Sequence, residues 1–177
     1  MRRFLDRLYA ASAALAAACL VAISVVMLAQ AVGRSFGILI RGADDITGWL
    51  CAAAAFLALG HTFRHGELVR VGLFIDMLRG GTRRAAEVLA LVITALFVGY
   101  MAWAVAKFVY ESWKFKEVAQ GLVKIPIWIP QLCFVFGVLI FLIAVLDELV
   151  LVLRNKKPAY QVAEEDRRAR GDFSEMA

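Results

Sequence analysis

Few side chains in this sequence could bind a metal, a heme or a proton, and two histidines are the first candidates. His61 and His65 stand four residues apart, so on a helix they share one face. A heme bound between two helices needs ligands from facing elements, which this pair does not supply. No glutamate stands between them in the pattern of a zinc protease. The spacing therefore favours an ordinary pair of interfacial histidines over a metal or cofactor site.

An acidic pair, Asp44 and Asp45, could bind a cation or the arginine of a partner protein. The same pair suits the start of a helix, where carboxylates cap free N–H groups and face the positive end of the helix dipole. We favour this second interpretation, together with a contact inside the same loop to Arg34 or Arg41.

A second acidic pair, Asp147 and Glu148, could form an ion site near the end of the last apolar segment. The basic stretch from Arg64 to Arg84 offers counter-charges, so we favour structural pairing.

The cysteines are odd in number, lie inside apolar segments and form no Cys-x-x-Cys pattern: Cys19, Cys51 and Cys133. This favours small core side chains over a disulfide or a zinc site.

These polar residues border four long segments that contain no charged residue. The segments are Leu8–Gly33, Ile46–Gly60, Val88–Ala106 and Ile125–Leu146. A helix needs about 20 residues to cross a hydrocarbon core roughly 30 Å thick, where backbone polar groups must bond within the helix. The composition agrees, since 62% of the residues are hydrophobic and the mean hydropathy is +0.74. We predict an all-α membrane protein, a bundle of four transmembrane helices.

The predicted membrane domain covers residues 1–157, with helices at about 4–33, 46–63, 83–113 and 126–153. The first apolar segment is too long for the core of a cleaved signal sequence, so we expect an uncleaved first helix. Leu68–Leu78, between the second and third helices, is too short to span and suits a segment at the membrane interface. Residues 158–177 form a polar tail that we expect to be disordered.

Basic and aromatic residues indicate the orientation and depth of the helices. Most Lys and Arg residues fall on one side if both termini are cytoplasmic, which predicts an N-in, C-in topology. The net charge of +5 then reflects contacts with phospholipids and not with nucleic acid. Pro126 and Pro130 mark the entry to the fourth helix, since proline is tolerated in a first turn. The residues expected to anchor helices at the lipid interface are Trp49, Arg83, Arg84, Trp113 and Trp128.

Several features of transporters and enzymes are missing from the sequence. An ion pathway normally keeps an ionisable residue inside a span, despite a cost of roughly 2.5–3.5 kcal/mol on insertion scales. The four segments contain none, and no matched pair of Gly/Pro-broken helices forms a substrate site. No P-loop, nucleophile elbow or metal motif occurs. The sequence therefore predicts a non-catalytic accessory subunit without a cofactor.

Four stretches carry a resemblance to a known family, through their order and spacing. They are Gly33-Arg34-Ser35-Phe36-Gly37, Asp44-Asp45-Ile46-Thr47-Gly48-Trp49, Leu59–Glu67 followed by Val69-Arg70-Val71, and Pro126-Ile127-Trp128-Ile129-Pro130. With them, the chain from about Phe4 to Leu153 resembles the small membrane subunit (DctQ-like) of tripartite ATP-independent periplasmic (TRAP) transporters. Leu68 stands where the family often has histidine, and Asp45 where it commonly has glutamate.

The resemblance implies two protein partners in the bacterial inner membrane and the periplasm. A large, DctM-like membrane subunit holds the substrate and sodium sites, and a periplasmic solute-binding protein delivers an organic anion, often a carboxylate. The small subunit would brace the large one and help dock the binding protein. Candidate residues for these contacts are Arg34, Asp44, Asp45, Arg64, Arg70, Asp147 and Glu148.

Two alternatives stay open on the sequence alone. The small four-span subunit of a tripartite tricarboxylate transporter would have similar apolar segments. A membrane anchor of a redox complex, with heme or quinone between helices, belongs to a different class of protein. The shared face of the two histidines argues against the redox alternative.

Overall fold

The computed structural model describes residues 2–38, 40–64 and 81–154 of the chain. These residues form four helices: α1 (Arg2–Ser35), α2 (Ala43–Arg64), α3 (Gly81–Lys114) and α4 (Trp128–Leu153). Each helix is long and apolar enough to cross a membrane, so the prediction of four transmembrane helices is confirmed. The predicted interfacial segment Leu68–Leu78 and the polar tail 158–177 lie outside the described residues.

Helix α2 begins earlier than its apolar segment does. Gly42 has a φ of +81°, and the helix starts at the next residue, Ala43. Asp44 and Asp45 therefore lie inside the first helical turn, where their charge suits the positive end of the helix dipole.

One face of α1 is buried along the helix and is lined by small and polar side chains. Its buried positions are Tyr9, Ser12, Ala16 and Gln30, with Cys19, Ile23 and Val26 half-buried between them. These positions alternate at intervals of three and four residues, the period of a coiled-coil seam. The Ser12 hydroxyl donates to the carbonyl oxygen of Leu57, so this seam packs against α2.

The predicted bundle of four helices has the form of an open row. Helix α1 packs on α2, α2 on α4 and α4 on α3, while α1 meets α4 at only a few positions. Helices α1 and α3 therefore stand at the two ends of the row. Apolar side chains need no burial inside a hydrocarbon layer, so the exposed flanks of the end helices carry little cost.

Helices α2 and α4 approach closely because each carries a glycine at their contact. A Cβ atom on Gly60 would lie 2.8 Å from Cγ2 of Ile140. A Cβ atom on Gly137 would lie 2.6 Å from the backbone of Phe56. Small residues at such contacts increase van der Waals packing, which drives helix association in lipid.

Two apolar clusters connect this central pair to the outer helices. Val98 and Ala102 of α3 pack against Val138 of α4. A second cluster draws residues from all four helices: Tyr9, Phe63, Leu91, Ala144, Val145 and Val152. The second cluster lies toward the level where α1 begins and α4 ends, beside charged side chains described below.

Candidate functional site at the polar ends of the helices

Hydrogen-bonded and charged side chains gather at the two levels where the helices begin and end. We call the end where α1 stops and α2 starts the loop end, and the end where α1 starts and α4 stops the terminal end. Within residues 2–38, 40–64 and 81–154, no group of three His, Cys, Asp or Glu side chains could hold a metal ion. His65, the second histidine of the predicted pair, lies outside the described residues.

The three cysteines are free thiols. Cys19 and Cys133 are half-buried. Cys51 is exposed on α2, so the expectation of a core side chain is wrong at that position. An open row leaves one side of α2 uncovered, and the sequence alone gave no indication of it.

At the loop end, Asp45 joins the first turn of α2 to the loop between α3 and α4. Its Oδ2 atom accepts hydrogen bonds from the backbone N–H groups of Leu122 at 2.8 Å and Val123 at 3.4 Å. Hydrogen bonds to a charged acceptor are stronger than neutral ones, so this carboxylate holds the loop on α2. The expected partners, Arg34 at the end of α1 and Arg41 in the following loop, form no ion pair with Asp45 in the described part of the chain.

The contact between this loop and α2 depends on glycine on both sides. A Cβ atom on Gly121 would overlap the carboxylate of Asp45, and one on Gly42 would overlap the side chain of Val123. The φ of +81° at Gly42 is also one that other residues rarely adopt. A larger residue at either position would push the loop away from α2.

Asp44 connects the same turn of α2 to α1. Its Oδ1 atom accepts a hydrogen bond from Nε2 of Gln30 at 3.3 Å. Gln30 is buried, at 8% exposed, although its neighbours in α1 are apolar and face outwards. Arg34, one turn further along α1, is exposed at the helix end and accessible to a partner.

The loop between α3 and α4 folds as a short hairpin. Val118 and Pro126 form an antiparallel bridge, and Ala119 donates its N–H to the carbonyl oxygen of Ile125 at 2.9 Å. Pro126 precedes α4, and Pro130 lies in the first turn, where a missing N–H breaks no helical hydrogen bond. Asp45 thus binds a loop that is already stabilised by its own backbone hydrogen bonds.

At the terminal end, Arg64 connects α2 with α1. Its Nη2 atom lies 2.6 Å from Oδ1 of Asp6, and its guanidinium carbon lies 5.1 Å from the ring centre of Tyr9. The Arg64 side chain is 20% exposed, whereas that of Asp6 is 51% exposed. A cation over an aromatic face gains energy in addition to the ion pair, more so when solvent is excluded.

The acidic pair of α4 lies near Tyr9, the aromatic ring that Arg64 also contacts. Glu148 is 1% exposed and Tyr9 is 2% exposed, while Asp147 is half-buried. Both carboxylates act electrostatically on Tyr9, as does Arg64. An isolated buried carboxylate costs several kcal/mol, so Glu148 requires compensation by neighbouring groups. Although Glu148 lies near the end of the last apolar segment, the structure buries it between the helices.

The aromatic and basic residues expected at the lipid interface differ in exposure. Trp113 is 56% exposed at the end of α3, whereas Trp49 and Trp128 are half-buried. Nη2 of Arg84 donates to the carbonyl oxygen of Leu153 at 3.2 Å, which links the start of α3 to the end of α4. Arg70 and the side chain of Arg83 lie outside what the structure describes.

Four contributors to these two ends were not predicted: Asp6, Tyr9, Gln30 and Gly121. The sequence contained a signal for two of them, because Tyr9 and Gln30 follow the spacing of three and four residues that marks the buried seam of α1. No sequence pattern indicated Asp6 and Gly121, since their partners are distant in the chain. The arrangement joins helix ends and loops through contacts within the chain.

Comparison with known proteins identifies the family. A family model described as "Tripartite ATP-independent periplasmic transporters, DctQ component" matches residues 23–155, which is about three quarters of the chain. The match begins within α1 and ends just beyond α4, so it includes the loop end and most of the terminal end. No curated protein matches the chain.

Proposed function

We propose that this chain, which belongs to the DctQ component family of TRAP transporters, braces the large subunit of a sodium-coupled importer of organic acids. It is the small membrane component of such a system, a non-catalytic, multi-pass protein of the inner membrane. TRAP systems pair this component with a DctM subunit and a substrate-binding protein. The bracing role, the sodium coupling and the carboxylate substrate are the proposal.

The observation that carries the bracing role is the location of the polar contacts. Asp45, Asp44 and Arg64 bond to groups of the same chain at the helix ends. The described middle portions of the helices carry no cluster able to coordinate an ion. Helices that are joined by polar contacts at both ends, and that expose apolar side chains to lipid, suit a rigid support in the membrane.

We further propose an N-in, C-in orientation, which follows from the distribution of Lys and Arg residues. The loop end then faces the periplasm, where the substrate-binding protein arrives. Exposed Arg34 is our first candidate for a contact there, while Asp45 would present the hairpin in a fixed position. Asp147, Glu148 and Arg64 would stabilise the cytoplasmic end, and Arg70 is a candidate contact in the adjoining segment.

The family match favours this proposal over both alternatives. It identifies a TRAP component and not the small subunit of a tricarboxylate transporter. The structure adds no support for a redox anchor, because His61 is the single histidine among the described residues.

Reconstitution tests the bracing role. We expect proteoliposomes with this chain, the large subunit and the binding protein to accumulate a carboxylate under a sodium gradient. Omission of this chain should abolish uptake, and the chain alone should transport nothing. Uptake by the chain alone, or full uptake without it, would contradict the proposal.

A pair of variants tests docking at the loop end. Arg34→Ala should weaken uptake at limiting concentrations of binding protein, because an exposed cation is removed at that end. Lys107→Ala removes an exposed cation from the side of α3, where it has a long ion pair of 3.8 Å with Glu111. This control should keep normal uptake. Equal behaviour of the two variants would count against docking at Arg34.

A further inference from the structure

An open groove of about 480 Å³ runs along the beginning of α3. It is lined by Arg84, Ala85, Val88, Leu89 and Val92. Among the described lining residues, one basic side chain therefore stands at the end of a surface that is otherwise aliphatic. This combination of a cation and an apolar wall is complementary to an amphiphile with a negative headgroup.

Arg84 is held in place at the polar end of the groove. Its Nη2 atom donates to the carbonyl oxygen of Leu153, in the last turn of α4. A guanidinium group carries five N–H donors, and this bond uses one of them. The remaining donors belong to an exposed side chain that is anchored at the level where α4 ends. Glu87, one turn further along α3, is half-buried and does not line the groove.

The length of the apolar wall matches one leaflet of a membrane. Eight residues separate Arg84 from Val92, which corresponds to about 12 Å along a helix that rises 1.5 Å per residue. One leaflet contributes roughly 15 Å to a hydrocarbon core of about 30 Å. With Arg84 at the headgroup level, the aliphatic side chains would line most of the path of an acyl chain.

We propose that this groove binds an anionic phospholipid, with its phosphate on Arg84 and an acyl chain along Ala85, Val88 and Val92. The charge of Arg84 selects the headgroup, and the aliphatic wall selects the chain. Arg154, just beyond α4, is also exposed but does not line the groove. The site is independent of the bracing role, since it requires only the membrane location.

Native mass spectrometry of the purified full-length chain tests this site. Phosphatidylglycerol and phosphatidylcholine are titrated separately, and we expect one phosphatidylglycerol to bind at lower concentration than phosphatidylcholine. Arg84→Gln should weaken the binding of phosphatidylglycerol about fivefold, the effect of one basic side chain near an anionic headgroup. Ala85→Phe should weaken it as well, because it fills the groove and leaves the charge unchanged.

Arg154→Gln is the matched control, since it removes an equal charge at the same end outside the groove. It should leave the affinity nearly unchanged, and circular dichroism should show the same helix content in all variants. Wild-type affinity in Arg84→Gln, or equal binding of the two lipids, would overturn the proposal. So would displacement of the bound lipid when the large subunit is added, which would assign the groove to a protein partner.

Discussion

Replacing Asp45 with alanine should release the hairpin between α3 and α4 from α2. The carboxylate accepts the N–H of Leu122 at 2.8 Å and that of Val123 at 3.4 Å, so the first bond has nearly ideal length and the second is weak. A hydrogen bond to a charged group contributes about 1.5–3 kcal/mol. Because the loop is solvent-exposed, we take the low part of this range and expect a loss of about 2 kcal/mol in local stability.

Hydrogen–deuterium exchange of a peptide that contains Leu122 and Val123 measures this loss directly. Amide hydrogens exchange when the loop opens locally, so the exchange rate reports the free energy of opening. Since 1.4 kcal/mol corresponds to a factor of ten, a loss of about 2 kcal/mol should accelerate exchange roughly 30-fold. Exchange in the central turns of α4 should stay slow, because those turns pack on α2 and α3.

Asp44→Ala is the matched control for this experiment. It removes a carboxylate from the same helical turn but breaks only a 3.3 Å bond to the neutral amide of Gln30, on the side of α1. Exchange at residues 122–123 should remain unchanged in this variant. The reasoning fails if Asp45→Ala leaves their exchange at the wild-type rate, or if Asp44→Ala accelerates it equally.

Further substitutions test other contacts by thermal unfolding of the purified protein. Gly137→Ala should destabilise the protein by about 1–3 kcal/mol, since the added methyl group overlaps the α2 backbone. Gly99→Ala is its control: no atom lies within 4 Å of the added Cβ position, so the melting temperature should not fall. Gly121→Ala should open the loop as Asp45→Ala does, because the added Cβ atom displaces the carboxylate of Asp45. Wild-type hydrogen exchange in this loop would refute the close contact. Arg64→Ala should cost about 2–3 kcal/mol, since it removes both the ion pair to Asp6 and the cation over the ring of Tyr9. Asp6→Asn should cost less than about 1 kcal/mol because half of its side chain is solvated; the reverse order would contradict the described cluster.

The family and the four spans could be predicted from local features of the sequence. Charge-free segments of sufficient length specify transmembrane helices, since the hydrocarbon layer forces backbone groups to bond within each helix. The ordered stretches around Arg34, Asp44 and Pro126 indicated the DctQ component, and the family match confirmed that prediction. The predicted docking residues remain predictions, because they concern partners outside this chain.

The arrangement of the helices could not be predicted in the same way. A membrane helix gains little from burying apolar side chains against another helix, so hydropathy does not specify which helices are neighbours. Here, the packing of small residues decided which helices are neighbours, because Gly60 and Gly137 let α2 and α4 approach closely. That contact leaves α1 and α3 at the ends of an open row.

By itself, the sequence determined what crosses the membrane, because length and polarity are properties of each segment alone. Only the tertiary structure decided which polar groups are partners, because those partners are distant along the chain. Asp45 bonds to an amide 77 residues away, and Glu148 is buried beside Tyr9 of the first helix. Such pairings depend on where the helix ends meet in space, and no local pattern of residues specifies that.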